Sequence, residues 1–453
     1  MLPNGECFST NQSTSNRHLH TTRHDTTQYD TMDKETTVTD PATNDTTTVK
    51  PKRIIRRRRR KGPETQTPLY DPVVLEKMVQ DSGLPLAYSF EIPKTLDRIA
   101  SLQATHVALQ MPEGLLLYAC ILGDILQSMA KSVTQISVLG DVTYGACCID
   151  DLGAQALGAD LLVHYGHSCL VPLQHTVVPC LYIFVEIQID VPHVTACLHT
   201  TLQSQQTTTT KTTTKTHIYL LGTIQFRHAF AHAKQLLQEH GYSVSIPQVK
   251  PLSPGEVLGC TSPKLDAHTT DTKAIVCFVA DGRFHLESTL ISNPHIHTFY
   301  RYDPYSRTLT VEEYGHAQMH SLRSSAIVQA KQGQRFGIIL GTLGRQGNPA
   351  IVQRIRATCD RYHKQHFLML LSEITPTKLQ HFTKVIDVWV QVACPRLSVD
   401  WGHCLSDKPV LTPYEFFVCM EETEWKEAYP MDYYSHAGGP WSNYYDENKH
   451  RKL

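Results

Sequence analysis

A chain of 453 residues with a formal net charge of −1 has room for about two to four domains and a sizeable core. The balanced charge excludes a global field that would hold nucleic acid or a membrane surface. Its 13 cysteines are too sparse for a small disulfide scaffold, the amino terminus lacks the apolar stretch of a signal peptide, and no run approaches the ~18 apolar residues of a spanning helix. These features predict a soluble, cytoplasmic protein with no membrane association. In that reducing compartment its cysteines serve as thiols, core fillers or metal ligands.

Residues 1–65 are rich in Thr, Asn, Asp and His and poor in large apolar residues, so they are expected to form a disordered tail. The basic block Lys50–Lys61 within it suits nuclear targeting or contact with ribosomal RNA, and equally a solvated charge run. Residues 66–205 read as a first α/β domain. It has a strand at Thr105–Leu109, a turn at Pro112-Glu113-Gly114, a helix over Leu115–Lys131 and a strand at Ile136–Leu139. The segment Tyr144-Gly145-Ala146-Cys147-Cys148 follows, then a small-residue helix (Asp150–Gly158) and a strand running into His164, His167 and Cys169. Residues 206–216 are a Thr-rich low-complexity insert and a natural boundary.

A second domain, 217–330, repeats the order: a strand at Ile218–Leu221, a helix over Arg227–His240 capped by Gly241, the pair Gly259-Cys260 and a strand at Ala274–Ala280. A third, 331–425, has a strand at Phe336–Leu340, a loop Gly341–Gly347 and a helix opened by Asn348-Pro349. Apolar runs at Phe367–Leu371 and Val385–Val392 then lead to Ala393-Cys394-Pro395-Arg396. Residues 426–453 form a C-terminal tail rich in Trp and Tyr. The expected fold is three similar open α/β domains of roughly a hundred residues each, arranged with pseudo-threefold symmetry around a central cluster site.

Loops at the carboxyl ends of such strands carry the chemistry. A lone cysteine there is usually a small buried hydrophobe, but Cys147, Cys260 and Cys394 recur in three successive units. With strand ends turned inward, their thiolates would converge and suit a cuboidal 4Fe–4S cluster with one iron left open. Zinc is the competing metal, although the chain has no C-x₂-C pair. Cys148 is too close to Cys147 for both to serve one ion, and spacing alone does not choose between them. His164, His167 and Cys169 have a spacing that zinc tolerates, but the two imidazoles read better as the lining of a pocket mouth in contact with substrate. Asp281-Gly282-Arg283 ends a strand and suits a small-molecule contact or a simple turn. The loop bearing Gly341, Gly344 and Gly347 precedes a helix, where N–H groups attract anions; it is neither a dinucleotide fingerprint nor a P-loop.

GDVTYGACCIDD with LGADLLVHYGHSCLVP, then GEVLGCTSP, then ACPRLSVDWG resemble the first subunit of the 2-(3-amino-3-carboxypropyl)histidine synthases of diphthamide biosynthesis, over about Thr95–Pro413. The resemblance implies three similar α/β domains, with Cys147, Cys260 and Cys394 each ligating one 4Fe–4S cluster. It implies S-adenosylmethionine as co-substrate at the open iron, cleaved between sulfur and the methionine γ-carbon. The resulting 3-amino-3-carboxypropyl radical adds to imidazole C2 of a histidine on translation elongation factor 2, and methylthioadenosine leaves. Implied partners are a related second subunit, giving a heterodimer, and a small metal-binding electron donor. The basic tail and the Thr-rich insert are not part of the family core. Two other readings stand beside this one: a noncatalytic cluster-bearing partner subunit, and a zinc-stabilised RNA-binding module.

Overall fold

Runs of Val, Ile and Leu bounded by turn residues build three separate, mainly parallel sheets. The first contains β1 (His106–Gln110), β2 (Gln135–Leu139), β3 (Leu161–Tyr165) and β4 (Cys180–Ile183), in the spatial order β2-β1-β3-β4. β1 and β3 are buried at every position, as central strands covered on both faces must be. The second contains β5 (Lys215–Gly222), β6 (Ser243–Ser245), β7 (Thr272–Val279) and β8 (Phe299–Asp303) in the order β6-β5-β7-β8, with β9 (Thr308–Glu312) antiparallel at the edge. The third contains β10 (Arg335–Gly341), β11 (Gln365–Leu371), β12 (Val388–Val392) and β13 (Val410–Leu411), ordered β11-β10-β12-β13. The computed structural model describes residues 70–140, 149–208, 215–267, 272–345, 347–435 and 438–445. The expected tail 1–65 with its block Lys50–Lys61, the pair Cys147 and Cys148, and residues 209–214 of the insert lie outside them.

All three sheets share one topology, in which the second and third strands flank the first. That reversal of strand order leaves a crevice at the carboxyl ends, where such proteins place their ligands. A local device also repeats. Asp160, just before β3, accepts the N–H groups of Thr105 (2.8 Å) and His106 (3.0 Å) at the start of β1. Asp387, just before β12, accepts those of Gln334 (3.1 Å) and Arg335 (3.0 Å) at the start of β10. Each carboxylate pins the third strand of its sheet to the first.

The helices that position the site are α1 (Ile92–Leu102), α2 (Asp151–Ala156), α3 (Val191–Thr208), α4 (Phe284–Ser292), α5 (His316–Lys331), α6 (Pro349–Arg361), α7 (Pro395–Leu405) and α8 (Pro413–Cys419). A helix runs ahead of the first strand of each sheet and packs on it. Leu96 and Ile99 of α1 meet Val107 and Leu109; Leu198 and Leu202 of α3 meet Ile218 and Leu220; Ile327 and Ala330 of α5 meet Phe336 and Ile338. Two of these helices lie before the expected boundaries. α3 falls in the expected first domain and enters the insert at 206–208, yet it packs on the second sheet. α5 falls in the expected second domain and packs on the third. The described part of the insert continues α3 to Thr208, and β5 begins at Lys215.

The C-terminal segment is likewise part of the third lobe. Tyr429, Met431, Tyr433 and Trp441 are buried in its core, and Arg354 of α6 donates to the carbonyls of Pro440 (2.8 Å) and Ser442 (2.6 Å). α8 is opened by a capping box between Thr412 and Glu415, and Glu415 also pairs with Arg323 of α5, both side chains fully enclosed. No helix among the described residues is long and apolar enough to cross a membrane.

Candidate functional site

The loops bearing Cys260 and Cys394 meet at the seam of the second and third lobes. Cys394 leaves β12 and is the N-cap residue of α7, with Pro395 at the first helical position. A thiolate there gains from the helix dipole. Cys260 sits in a tight turn in which Leu258 and Thr261 exchange backbone hydrogen bonds (2.9 and 3.3 Å). Gly259 is required before it, because a Cβ would collide with the ring of Phe284. Arg396, two residues after Cys394, ties the loops together. Its guanidinium donates to the carbonyls of Gly259 (3.3 Å) and Phe284 (2.8 Å), pairs with Asp400 (2.8 Å) and Glu287, and lies 4.4 Å over the Phe284 ring. Burial pushes the Asp400 carboxyl up even with Arg396 beside it, so this cation is what keeps an enclosed acidic pair tolerable.

The first and third lobes join at the glycine-rich loop. Gly344 has φ +51° and abuts the carbonyl of Ile149, which a Cβ would approach to 3.0 Å. Arg345 grips the buried Asp151 of α2 through two hydrogen bonds (2.7 and 2.8 Å). That pairing, with the Val177 N–H, outweighs burial and holds the Asp151 carboxyl below its ordinary range. Gly341 packs against Ala393, leaving no room for a side chain beside Cys394. Between these elements and the C-terminal segment lies a cavity of about 430 Å³, lined among others by His175, Gly341, Gly344, Gly347, Tyr434 and Asn443. That volume lies in the range of small-molecule sites.

The first and second lobes meet around three histidines. His164 is 1 % exposed, with Nδ1 3.0 Å from Oε1 of Gln110 and Nε2 buried without a partner. It therefore lies inside the first lobe and not on an open rim, because β3 is a central strand. His167 is half-buried, its Nδ1 enclosed and unpartnered, and its ring centroid is 5.8 Å from that of His285. Gln225 fixes the seam by donating to the Gly166 carbonyl (2.9 Å). Enclosure pushes His164 and His285 down to about 3 and His167 to about 4. A depressed imidazole pKa means that the unfolded chain takes up the proton first. Stability is thus full above about pH 6.5 and is lost as the pH falls towards about 4, by up to ~1.4 kcal/mol per pH unit for each histidine. Urea midpoints measured from about pH 7 to about pH 5 should fall steeply; a flat profile contradicts neutral, enclosed imidazoles.

Arg283 is committed to Glu312 and to the Glu313 carbonyl (3.0 Å), while Asp281 and Gly282 are exposed at the end of β7. The equivalence expected of the three cysteines changes in one respect. Cys260 follows the second strand of its sheet, as Cys147 does in the chain order of the first, but Cys394 follows the third strand. The crevice reconciles them, because second and third strands open onto it from opposite sides of the first. Among the described residues no group of three or more His, Cys, Asp or Glu is gathered for a metal; the third expected ligand, Cys147, lies outside them. Cys260 and Cys394 fit a shared sulfur-ligated centre by donor softness and by the Arg396 tie. Arg396 carried a legible signal, a cation two residues after a strand-end cysteine, whereas nothing in the sequence linked Arg345 to Asp151.

The fold and seam define a class: an α/β protein of several mainly parallel sheets in which the loops bearing Cys260 and Cys394 are tied together by Arg396. A family model described as "Putative diphthamide synthesis protein" matches residues 111–430. Among curated proteins, 2-(3-amino-3-carboxypropyl)histidine synthase subunit 1 of Gallus gallus is 49% identical over 392 residues, covering 86% of this chain and 90% of the relative. The subunit 1 of Schizosaccharomyces pombe is 44% identical over 400 residues, covering 86% and 88%. Among solved structures, Dph2 from Pyrococcus horikoshii with a 4Fe-4S cluster superposes with a TM-score of 0.60 at 24% identity, covering 76% of this chain and 93% of that one, a likeness of fold. The chain belongs to the diphthamide synthesis family, among the 2-(3-amino-3-carboxypropyl)histidine synthase subunit 1 proteins.

Proposed function

We propose that this chain is the catalytic subunit that transfers the 3-amino-3-carboxypropyl group of S-adenosylmethionine to a histidine of translation elongation factor 2, the first step of diphthamide biosynthesis. The observation that carries this reading is the Arg396 tie between the Cys260 and Cys394 loops, in a chain nearly half identical to synthases of that name. In this reading the three lobes are related by pseudo-threefold symmetry, one lobe each for Cys147, Cys260 and Cys394, and these residues hold a 4Fe–4S cluster. When bound, the reduced cluster supplies the electron that splits the sulfur–γ-carbon bond of S-adenosylmethionine.

The protein's own residues bind, orient and exclude water. The cavity beside Gly341, Gly344 and Gly347 takes the nucleoside part of S-adenosylmethionine, in a loop whose glycines let it pack closely against Ala393, Ile149 and Leu340. Asp281 and Gly282, exposed at the end of β7, offer a second polar contact, with Arg283 held beside them by Glu312. His167, neutral and facing His285, meets the substrate loop, and His164 supports it from within. Closure of the seams by Arg396 and Arg345 keeps solvent from the junction. A related second subunit, a small metal-binding electron donor and the elongation factor are the partners, in the cytoplasm.

Anaerobic purification with the partner subunit tests this reading. Iron and acid-labile sulfide are expected, and methylthioadenosine should form only when S-adenosylmethionine, reductant and elongation factor are all present. Protein holding zinc without iron, or product formed without reductant, overturns it.

A further inference from the structure

The C-terminal segment brings two tyrosines to the cavity between the first and third lobes. Tyr434 and Tyr444 stand with ring centroids 6.4 Å apart and planes at 64°. They form an open corner, in which a flat ring laid on one face meets the other nearly edge-on, two favoured aromatic geometries. Tyr434 is the inner wall. It packs against Leu170 of the first lobe and against Leu252 and Leu258 of the second, so all three lobes meet at this side chain. Gly341, also in the lining, packs against Ala393 next to Cys394. Tyr444 is the outer wall, 37% exposed. The turn that carries it is clamped: Arg354 donates to the Pro440 and Ser442 carbonyls and lies 5.7 Å over the Tyr445 ring. The Asn443 N–H donates to the Tyr433 carbonyl (2.6 Å). The lining is poor in charge. Among the described lining residues none is acidic and Arg345 is the one Arg or Lys, and it is committed to Asp151 (2.7 and 2.8 Å). Asn348 takes the Ala350 N–H (2.8 Å) at the start of α6, so that helix end has less to offer an anion.

We propose that Tyr434 and Tyr444 are specificity-determining residues whose rings hold, by stacking, the purine of S-adenosylmethionine and of the methylthioadenosine that leaves. The assignment rests on the nucleoside placement proposed above. An aromatic corner in a lining with its arginine already paired suits a flat, uncharged heterocycle and not a phosphate ester. Recognition therefore comes from ring faces, and the site selects a purine nucleoside without gaining from a 5′-phosphate. The C-terminal segment then has a function beyond filling the core of the third lobe, which is to wall the nucleoside site.

The probe is methylthioadenosine, which carries the nucleoside and nothing of the transferred group. Calorimetry on the anaerobic protein with its partner subunit should show Tyr444→Ala weakening its binding about 5- to 100-fold, the range of one base–aromatic stack. Tyr444→Phe, which keeps the ring, should bind as the parent does, and AMP should bind no more tightly than adenosine. An alanine variant that matches the parent, or a gain from the phosphate, overturns the proposal. Nitration of the parent by tetranitromethane, mapped on peptides, is independent of any variant. Methylthioadenosine should shield Tyr444 and methionine should not; equal nitration with and without the nucleoside overturns the proposal too. So does a parent that binds S-adenosylmethionine but not methylthioadenosine, because its purine would then contribute little. A parent that binds no S-adenosylmethionine removes the functional reading itself, a result distinct from these.

Discussion

Serine at Cys260 or at Cys394 is expected to abolish formation of methylthioadenosine and to strip iron from the anaerobic protein, with the fold retained. The two sulfurs come from loops on different lobes, so neither has a neighbouring thiol in its own loop to replace it. A hydroxyl is a hard, weakly acidic donor and a poor substitute for thiolate at iron. Cys147→Ser should behave alike, whereas Cys359→Ser is the control. Cys359 is wholly buried on α6, where desolvation pushes its thiol up to about 12. Serine there leaves a buried hydroxyl and should cost about 1–3 kcal/mol of stability without changing turnover per folded molecule. Iron analysis, circular dichroism and product assay separate these outcomes. Full activity in Cys260→Ser would refute the shared centre, and a fatal Cys148→Ser beside a harmless Cys147→Ser would exchange the ligand within that pair.

Arg396→Ala should be the most damaging change outside the cysteines. Arg396 is 3% exposed, and its charge is balanced by Glu287 and Asp400 from two lobes. Removing one partner from an enclosed ion network strands the others, at a cost of roughly 3–5 kcal/mol. The same change releases the Gly259 carbonyl, so the Cys260 turn loses its tie to α7. Turnover should fall about 10–100-fold, the usual effect of losing a group that orients metal ligands. Arg396→Lys keeps the charge but not the planar fork, and should restore stability better than activity. Urea midpoints and iron retention on gel filtration measure both; an alanine variant that matches the parent in each would show that Arg396 does not hold the seam.

Much of the fold was legible from strand-forming runs and their punctuation. Asn348 caps α6 as its position before Pro349 predicts, accepting the Ala350 N–H at 2.8 Å, and Gly241 ends its helix with φ +86°. These are local signals, readable because capping and positive φ depend on a few adjacent residues. The lobe boundaries were less legible. α3 and α5 carry apolar stripes that could face either neighbouring sheet, and only packing assigns them to the strands that follow. The tail was illegible for a related reason. Tyr433 and Trp441 read only as part of a tail rich in Trp and Tyr until the third lobe's core is seen to receive them.

The sequence by itself determined the α/β order, because periodicity and turn chemistry are properties of the chain, and its motifs carried the resemblance to the family. The tertiary structure alone decided which residues from distant segments share a seam: Arg396 with Gly259, Arg345 with Asp151, and His167 with His285. Such pairings arise from how lobes dock. Docking is governed by buried charge, close glycine contacts and unpaired polar groups, whose partners lie far along the chain and leave no periodic trace in it.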